Sequence, residues 1–180
     1  MINTTTLIGE QVRLRPVEER DLPLFSDWLN DPDVRYWQHR SEDALETMES
    51  ERRWYEGMRN DPARMAWCIE TRVGQPIGSL GLMGLGDTHR RAELYIFIGK
   101  NDWSRGYGTD AIRCVLRYAF QEMGLRRVHL ITDEDNARGI RCYEKCGFVR
   151  EGLLRAHRLR HGKPIDMIVM GALRDEWGRE

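Results

Sequence analysis

Apolar residues alternate with polar ones at Val12, Leu14 and Val17, then change to helical spacing at Leu22, Phe25, Trp28 and Leu29. The first pattern has the period of a half-buried strand and the second that of an amphipathic helix, with Asp21 placed as its N-cap. A second helix is expected from about Ser41. Its acidic first turns, Glu42 to Glu46, suit the helix dipole, and it runs through Trp54 and Met58 to a turn at Asn60, Asp61 and Pro62. Met65 to Thr71 and Gly78 to Met83 read as a hairpin turning at Gly74 and Pro76, and Ala92 to Gly99 as the next strand. Ala111, Ile112, Val115, Leu116, Ala119, Phe120 and Met123 give the clearest helical stripe, with Gly124 where a C-terminal cap belongs. Val128 to Thr132 is a further strand, and Asn136 to Cys146 a short helix closed by Gly147. Gly152 to Arg160, the turn HGKP and Ile165 to Leu173 form a closing hairpin. The expectation is a mixed α/β domain with more strands than helices.

Composition narrows the class. With 180 residues, 41% of them hydrophobic, and no Pro/Gly/Ser-rich linker, the chain is expected to form one domain over residues 1–180. The N-terminus has no basic flank or apolar stretch, and no run approaches the roughly 18 residues that span a bilayer. A cytoplasmic protein without membrane contact is the expectation. Cys68, Cys114, Cys142 and Cys146 show no CxxC spacing; Cys142 and Cys146 share a helix face, but nothing completes a ligand set, so no metal is expected. The net charge of -1 hides an asymmetry. Residues 1–60 hold 8 Lys/Arg against 13 Asp/Glu, whereas residues 61–180 hold 20 against 16. An anionic cofactor on the later part and a cationic partner on the earlier part would suit this, as would ordinary solvated faces.

The chemistry concentrates in AELYIFIGKNDWSRGYGTDA, residues 92–111: an apolar strand, a polar connector, Gly106 and Gly108, then a helix start. Without a Cβ at either glycine the backbone can aim successive N–H groups inward beside the positive end of the helix, a cradle for phosphate. Gly106, Gly108 and Ala111 also satisfy G-x-G-x-x-[GA], with Asp133 where a dinucleotide fold would place its ribose-binding acid. That reading fails on spacing. Six residues, KNDWSR, separate Gly99 from Gly106, and too little chain follows for a second nucleotide-binding half. Glycines that merely shape a turn are the remaining alternative.

The loop WSRGYGTDA, the preceding AELYIFIG and the later NARGIRCYEKCGF resemble the GNAT superfamily of N-acetyltransferases over nearly the whole chain. LIGEQVRLRPVEERDL is similar to the ribosomal-protein N-terminal acetyltransferase branch, and HRRAE at 89–93 to the spermidine acetyltransferases. The resemblance implies a mostly antiparallel central sheet flanked by helices, and acetyl-CoA as cosubstrate. The loop Trp103, Ser104, Arg105, Gly106, Tyr107, Gly108 and Thr109 would hold the pyrophosphate, Arg105 adding charge. Trp103 stands where members of the superfamily often carry Gln or Arg. Ile96, Phe97 and Ile98 would offer strand-edge amides to the pantetheine arm and to the oxyanion.

Asn136 and Tyr143 are seven apart and so return to within about 20° on one helix face. By resemblance Asn136 contacts the cofactor arm, Tyr143 protonates the departing thiolate, and Lys145 lies near the phosphates; a helix cap and a half-buried aromatic are the plain alternatives for the first two. Gly139 inside this helix admits either a close cofactor approach or simple tolerance. Glu93 is the expected base, directly or through water, although an outward-facing strand acid is equally compatible. No Ser/His/Asp or Cys/His arrangement suggests a covalent acetyl-enzyme, so direct transfer in a ternary complex is expected. The acidic first third, including Asp27, Asp31, Asp33 and the run from Glu42 to Glu56, tilts the acceptor toward a cationic amine. Polyamine, protein N-terminus, aminoglycoside and amino sugar stay open, as does a homodimer. Two other classes compete: a non-catalytic CoA-binding sensor, and an RNA- or ribosome-binding module prompted by RAHRLRHGK at 155–163, with Arg158 and Arg160 on one strand face. The slightly acidic total charge disfavours nucleic acid.

Overall fold

The computed structural model of the chain describes residues 5–38 and 44–178. Strands β1 (Leu7–Ile8) and β2 (Val12–Pro16) lead through a 3-10 turn into α1 (Leu22–Asn30), α2 (Pro32–Trp37) and α3 (Met48–Asn60). Strands β3 (Arg64–Thr71), β4 (Pro76–Met83) and β5 (Arg91–Ile98) follow, then α4 (Tyr107–Arg117), whose last turn widens into a π-helix over Tyr118–Glu122. The chain ends with β6 (Arg127–Asp133), α5 (Ala137–Lys145), β7 (Val149–Arg160) and β8 (Lys163–Leu173).

All eight strands form one sheet in the order β1-β2-β3-β4-β5-β6-β8-β7. Every neighbouring pair is antiparallel except β5 and β6, which are parallel. Because strand side chains alternate between faces, β5 serves two cores. Ala92 and Leu94 join Ile112, Val115 and Leu116 of α4 on one face. Phe97 joins Phe25 and Leu29 of α1 and Met58 of α3 on the other, with the Phe97 and Phe25 rings edge to face at 5.5 Å.

The expected strands are present to within a few residues, and the HGKP turn is tighter than expected. His161 and Gly162 both take positive φ, +50° and +72°, the two-residue hairpin geometry, so Lys163 and Pro164 already belong to β8. The second helix differs more. It begins at Met48, capped reciprocally by Thr47 and Ser50, while Ala44–Glu46 carry no regular structure; Ser41 and Glu42 lie outside the described residues. α2 was not anticipated, although Asp31-Pro32 is a start signal: the Asp31 carboxylate accepts from the Asp33 and Val34 amides, and proline fills the first helical position.

Asp21 stands at the expected N-cap position of α1, but its side chain makes no capping hydrogen bond to that helix. Its carboxylate is engaged by Arg15, which donates to both oxygens at 2.7 Å and to Glu70 at 2.6 Å. All three side chains are buried, so their charges are kept by pairing, and the two carboxylates hold the Arg15 guanidinium above its ordinary range. This knot ties β2 to β3 and to the entry of α1. Replacing Arg15 with Ala leaves the buried Asp21 carboxylate without its counter-charge and takes one of two guanidinium partners from Glu70, which Arg13 still pairs, and is expected to lower stability by about 3–5 kcal/mol, seen as a lower urea midpoint. The exposed replacement Arg20→Ala should change it by less than about 0.5 kcal/mol.

Candidate active site

The two central strands are paired over only three positions, Arg91 with Arg127, Ala92 with Val128 and Glu93 with His129. Beyond that point β5 keeps its ladder to β4 as far as Ile98, and β6 keeps its ladder to β8 as far as Asp133. Each half of the sheet stays intact while the seam between them opens. Two glycines let β5 lie close on β4: a Cβ on Gly78 would sit 2.3 Å from the Phe97 carbonyl, and one on Gly81 would sit 2.3 Å from the Tyr95 ring. The opening is a cavity of about 670 Å³ lined from both faces of the sheet, by Trp37, Trp54 and Glu93 on one side and Thr109, Asn136 and Tyr143 on the other.

At one end lies the glycine loop. Gly106 is left-handed, at φ +87°, and is the N-cap of α4; Ser104 before it is also left-handed, at +60°. Asp110 is the first α4 residue whose amide donates inward, to Gly106 O at 3.1 Å, so the preceding amides of the helix have no carbonyl within it. Gly108 does not supply the expected backbone freedom. It is already helical, with no positive φ, and a Cβ there would meet Ile98 Cδ1 at 3.4 Å and Cys142 Sγ at 3.6 Å, ordinary contact distances, so the protein's own backbone and packing do not require glycine at this position. Asp110 anchors the helix start by accepting from the Glu10, Gln11 and Val12 amides.

Trp103 is turned to the strand edge. Its indole N–H donates to Ile98 O at 2.7 Å, and the Arg138 guanidinium lies over its ring at 3.5 Å. Arg138, which sequence reading passed over, has no carboxylate partner among the described residues. Burial pushes its pKa below the ordinary arginine value, as expected of a desolvated cation without a counter-charge. Arg105, Arg138, Arg141 and Lys145 all line this end of the cavity, whereas Asp102, in an ion pair with Arg105 at 3.5 Å, is its one carboxylate among the described residues. An arrangement of free helix amides, a left-handed glycine and four cations suits a polyanion.

Helix α5 supplies the other wall. Asn136 caps it, its Oδ1 accepting from Gly139 N at 3.0 Å and its Nδ2 donating to Thr132 at 3.1 Å. That cap explains Gly139: a Cβ there would lie 2.6 Å from Asn136 Nδ2, so the folded-over amide needs glycine beneath it. Tyr143, one face around, packs edge to face on Phe148 at 6.1 Å, and its hydroxyl makes no hydrogen bond among the described residues. Burial, reinforced by the neighbouring Cys142 and Cys146 thiols, pushes the phenol well above its ordinary pKa, keeping its proton in place. Cys142 also lines the cavity, beside the Thr109 hydroxyl at 3.4 Å.

Several expected charges are committed elsewhere. Asp31 caps α2, Asp33 pairs with Lys100 and Glu49 with Arg53, and Glu51 is buried away from solvent, so they do not line the cavity. Glu93 does, opposite Met83 of β4. Arg158 and Arg160 are not free for phosphate: Asp133 accepts from both, at 2.5 and 3.1 Å, Asp135 pairs with Arg160, and Tyr36 covers the Arg160 guanidinium at 4.2 Å. The same contacts withdraw Asp133 from any ribose-binding role. Among the described residues no group of three or more His, Cys, Asp or Glu could hold a metal, and no helix is long and apolar enough to cross a membrane.

Residues 11–149 match the acetyltransferase (GNAT) domain family. The chain is 31% identical over 147 residues to spermidine N(1)-acetyltransferase of Escherichia coli, covering 81% of this chain and 77% of that one. It is 29% identical over 159 residues to the uncharacterized N-acetyltransferase YoaA of Bacillus subtilis, covering 87% and 90%. The spermidine N-acetyltransferase of Vibrio cholerae, solved with CoA and spermine, superposes with a TM-score of 0.86 at 25% identity, over 93% of this chain and 98% of that one. The chain thus shares its overall fold with that structure and is a member of the GNAT family, an acetyl-CoA-dependent N-acetyltransferase.

Proposed function

We propose that this enzyme moves the acetyl group to a primary amine by direct attack, with Glu93 as base and Tyr143 as acid. The observation that carries the reading is the opening of the sheet at Glu93, which puts a carboxylate from one face and a phenol from the other on a single cavity. Acetyl-CoA supplies an acyl group activated as a thioester. The residues present fit it: the amides from Arg105 to Thr109, with Arg105, Arg138 and Lys145, face a polyanion, and the unpaired edge of β5 from Leu94 to Phe97 offers peptide groups to an amide-bearing arm. Ile96 and the Ile98 N–H act through the backbone on that edge, whereas the Phe97 peptide groups face Ser79 of β4 and its ring is core. Trp103 acts indirectly, by fixing the Ile98 carbonyl and backing Arg138.

An amine is mostly protonated at neutral pH and must lose a proton before its lone pair can attack. Glu93 accepts that proton, directly or through one water. On the opposite face Tyr143 gives its phenolic proton to the departing sulfur. Burial keeps the phenol protonated over the whole neutral range, and its proton passes only as negative charge builds on the sulfur beside it. Asn136 acts chiefly as the cap that sets the angle of α5 and hence the position of Tyr143. A cytoplasmic setting fits a chain that consumes acetyl-CoA and carries four free cysteines.

Four measurements test this reading. Tyr143→Phe should lower kcat by about 10²–10⁴-fold with the KM for acetyl-CoA nearly unchanged. In the unsubstituted enzyme the phenol should not cause kcat to fall below about pH 10, its ordinary titration range, because its shift is upward. A Phe variant with full rate across pH removes the acid assignment. Arg138→Ala should raise the KM for acetyl-CoA about 10–100-fold, the worth of one charge-assisted hydrogen bond, with kcat nearly intact. Finally, incubation with acetyl-CoA and no acceptor should leave the protein's mass unchanged. An acetyl group appearing on Cys142 would replace direct transfer with a covalent relay.

A further inference from the structure

The acceptor end of the cavity differs in kind from the cofactor end. Val34 and Trp37 of α2, Trp54 of α3, Met83 of β4 and Tyr95 of β5 form its walls, and Glu93 is its carboxylate among the described residues. The rings are held in place. Tyr95 lies across Gly81, where any Cβ would strike it, Trp54 meets Phe25 edge to face at 6.2 Å, and Trp37 packs on Tyr36 at 4.7 Å. Arg158 fastens the end of α2 by donating to Gln38 O at 3.0 Å while paired with Asp133.

We propose that the preferred acceptor is an arylalkyl monoamine, a primary amine joined by a short alkyl chain to an aromatic ring, rather than a linear polyamine. This rests on the acetyl-transfer reading above. One carboxylate can serve one ammonium group, and Glu93 is already committed to the amine that reacts. A polyamine brings further positive charges, for which the described wall offers ring faces and Gln38 but no second carboxylate, and a ring face returns less than the desolvation of an ammonium group costs. An aromatic body needs no such partner: it gains from apolar burial and from edge-to-face contact with the fixed rings. Of the described acidic residues of the first third, Asp31 caps α2, Asp33 and Glu49 are held in ion pairs and Glu46 accepts from Ser50, all outside the cavity.

The test uses the full chain with acetyl-CoA and follows thiol release with phenethylamine, tryptamine, putrescine and spermidine. The expected result is a kcat/KM for the two arylalkylamines at least about tenfold above that for spermidine. Trp54→Leu should raise the KM for tryptamine about tenfold while leaving the KM for acetyl-CoA unchanged. Because Trp54 also packs on Phe25, Trp37→Leu is the second variant, with the same expectation. Equal or better turnover of spermidine or putrescine overturns the inference and leaves acetyl transfer standing, as does acetyl-CoA binding without acetylation of either arylalkylamine. Failure to bind acetyl-CoA, read by calorimetry, removes the underlying reading and the inference together.

Discussion

Backbone N–H and C=O groups taken out of water must find partners, and six of the eight strands described here find them in ordinary ladders on every side turned toward the sheet. The exceptions are β5 and β6, which part after three paired positions, so that the upper half of β5 pairs only with β4 and that of β6 only with β8. Both flanking half-sheets are complete, so the strain of the parting falls on a single seam. The site follows from that constraint. The seam admits a ligand, exposes peptide groups able to bind one, and joins two faces that a closed sheet would keep apart.

The elements around the seam hold its two lips separately. On the β6 side, Asp133 is clamped by Arg158 and Arg160, Thr132 receives the Asn136 amide, and α5 is capped by the same side chain. On the β5 side, the Arg15 knot secures β2 and β3, and the Phe97 ring is buried beneath α1. α4 bridges the lips at one end: its N-terminus stands at the mouth of the cavity, and Asp110 ties that terminus back to the chain before β2. The charges are sorted by this architecture, with cations at the α4 end and, among the described residues, the Glu93 carboxylate among rings at the other.

Much of this was legible in the residues. Period-two and period-3.6 patterns located nearly all the strands and the long helix, and the glycine loop marked the start of α4. The unread parts share a cause: they depend on contacts distant in sequence. Asp21 looked like a cap because a cap is a local event, but a guanidinium from β2 reaches it first. Arg158 and Arg160 looked like a basic stripe because their partners, Asp133 and Asp135, are some 25 residues away in the chain. Gly81 gave no signal, its need arising only from Tyr95 on the neighbouring strand. Arg138 was indistinct among many arginines until Trp103 lay beneath it. α2 is a different case, since Asp31-Pro32 is a local signal in a six-residue element that has little room for periodicity.

The indole of Trp103 has an implication beyond orientation. An unpaired strand edge is a template on which a foreign strand can build, and proteins that retain one are exposed to self-association. By occupying the last carbonyl of β5, the indole trims the open template to the four residues Leu94–Phe97, and Arg138 stacked on it adds a charge at its tip. A span so short accommodates a small molecule with a pair of amides but gives an intruding polypeptide too few rungs to hold. The tryptophan thereby works as a gatekeeper, letting the enzyme keep an opening in its sheet without inviting aggregation.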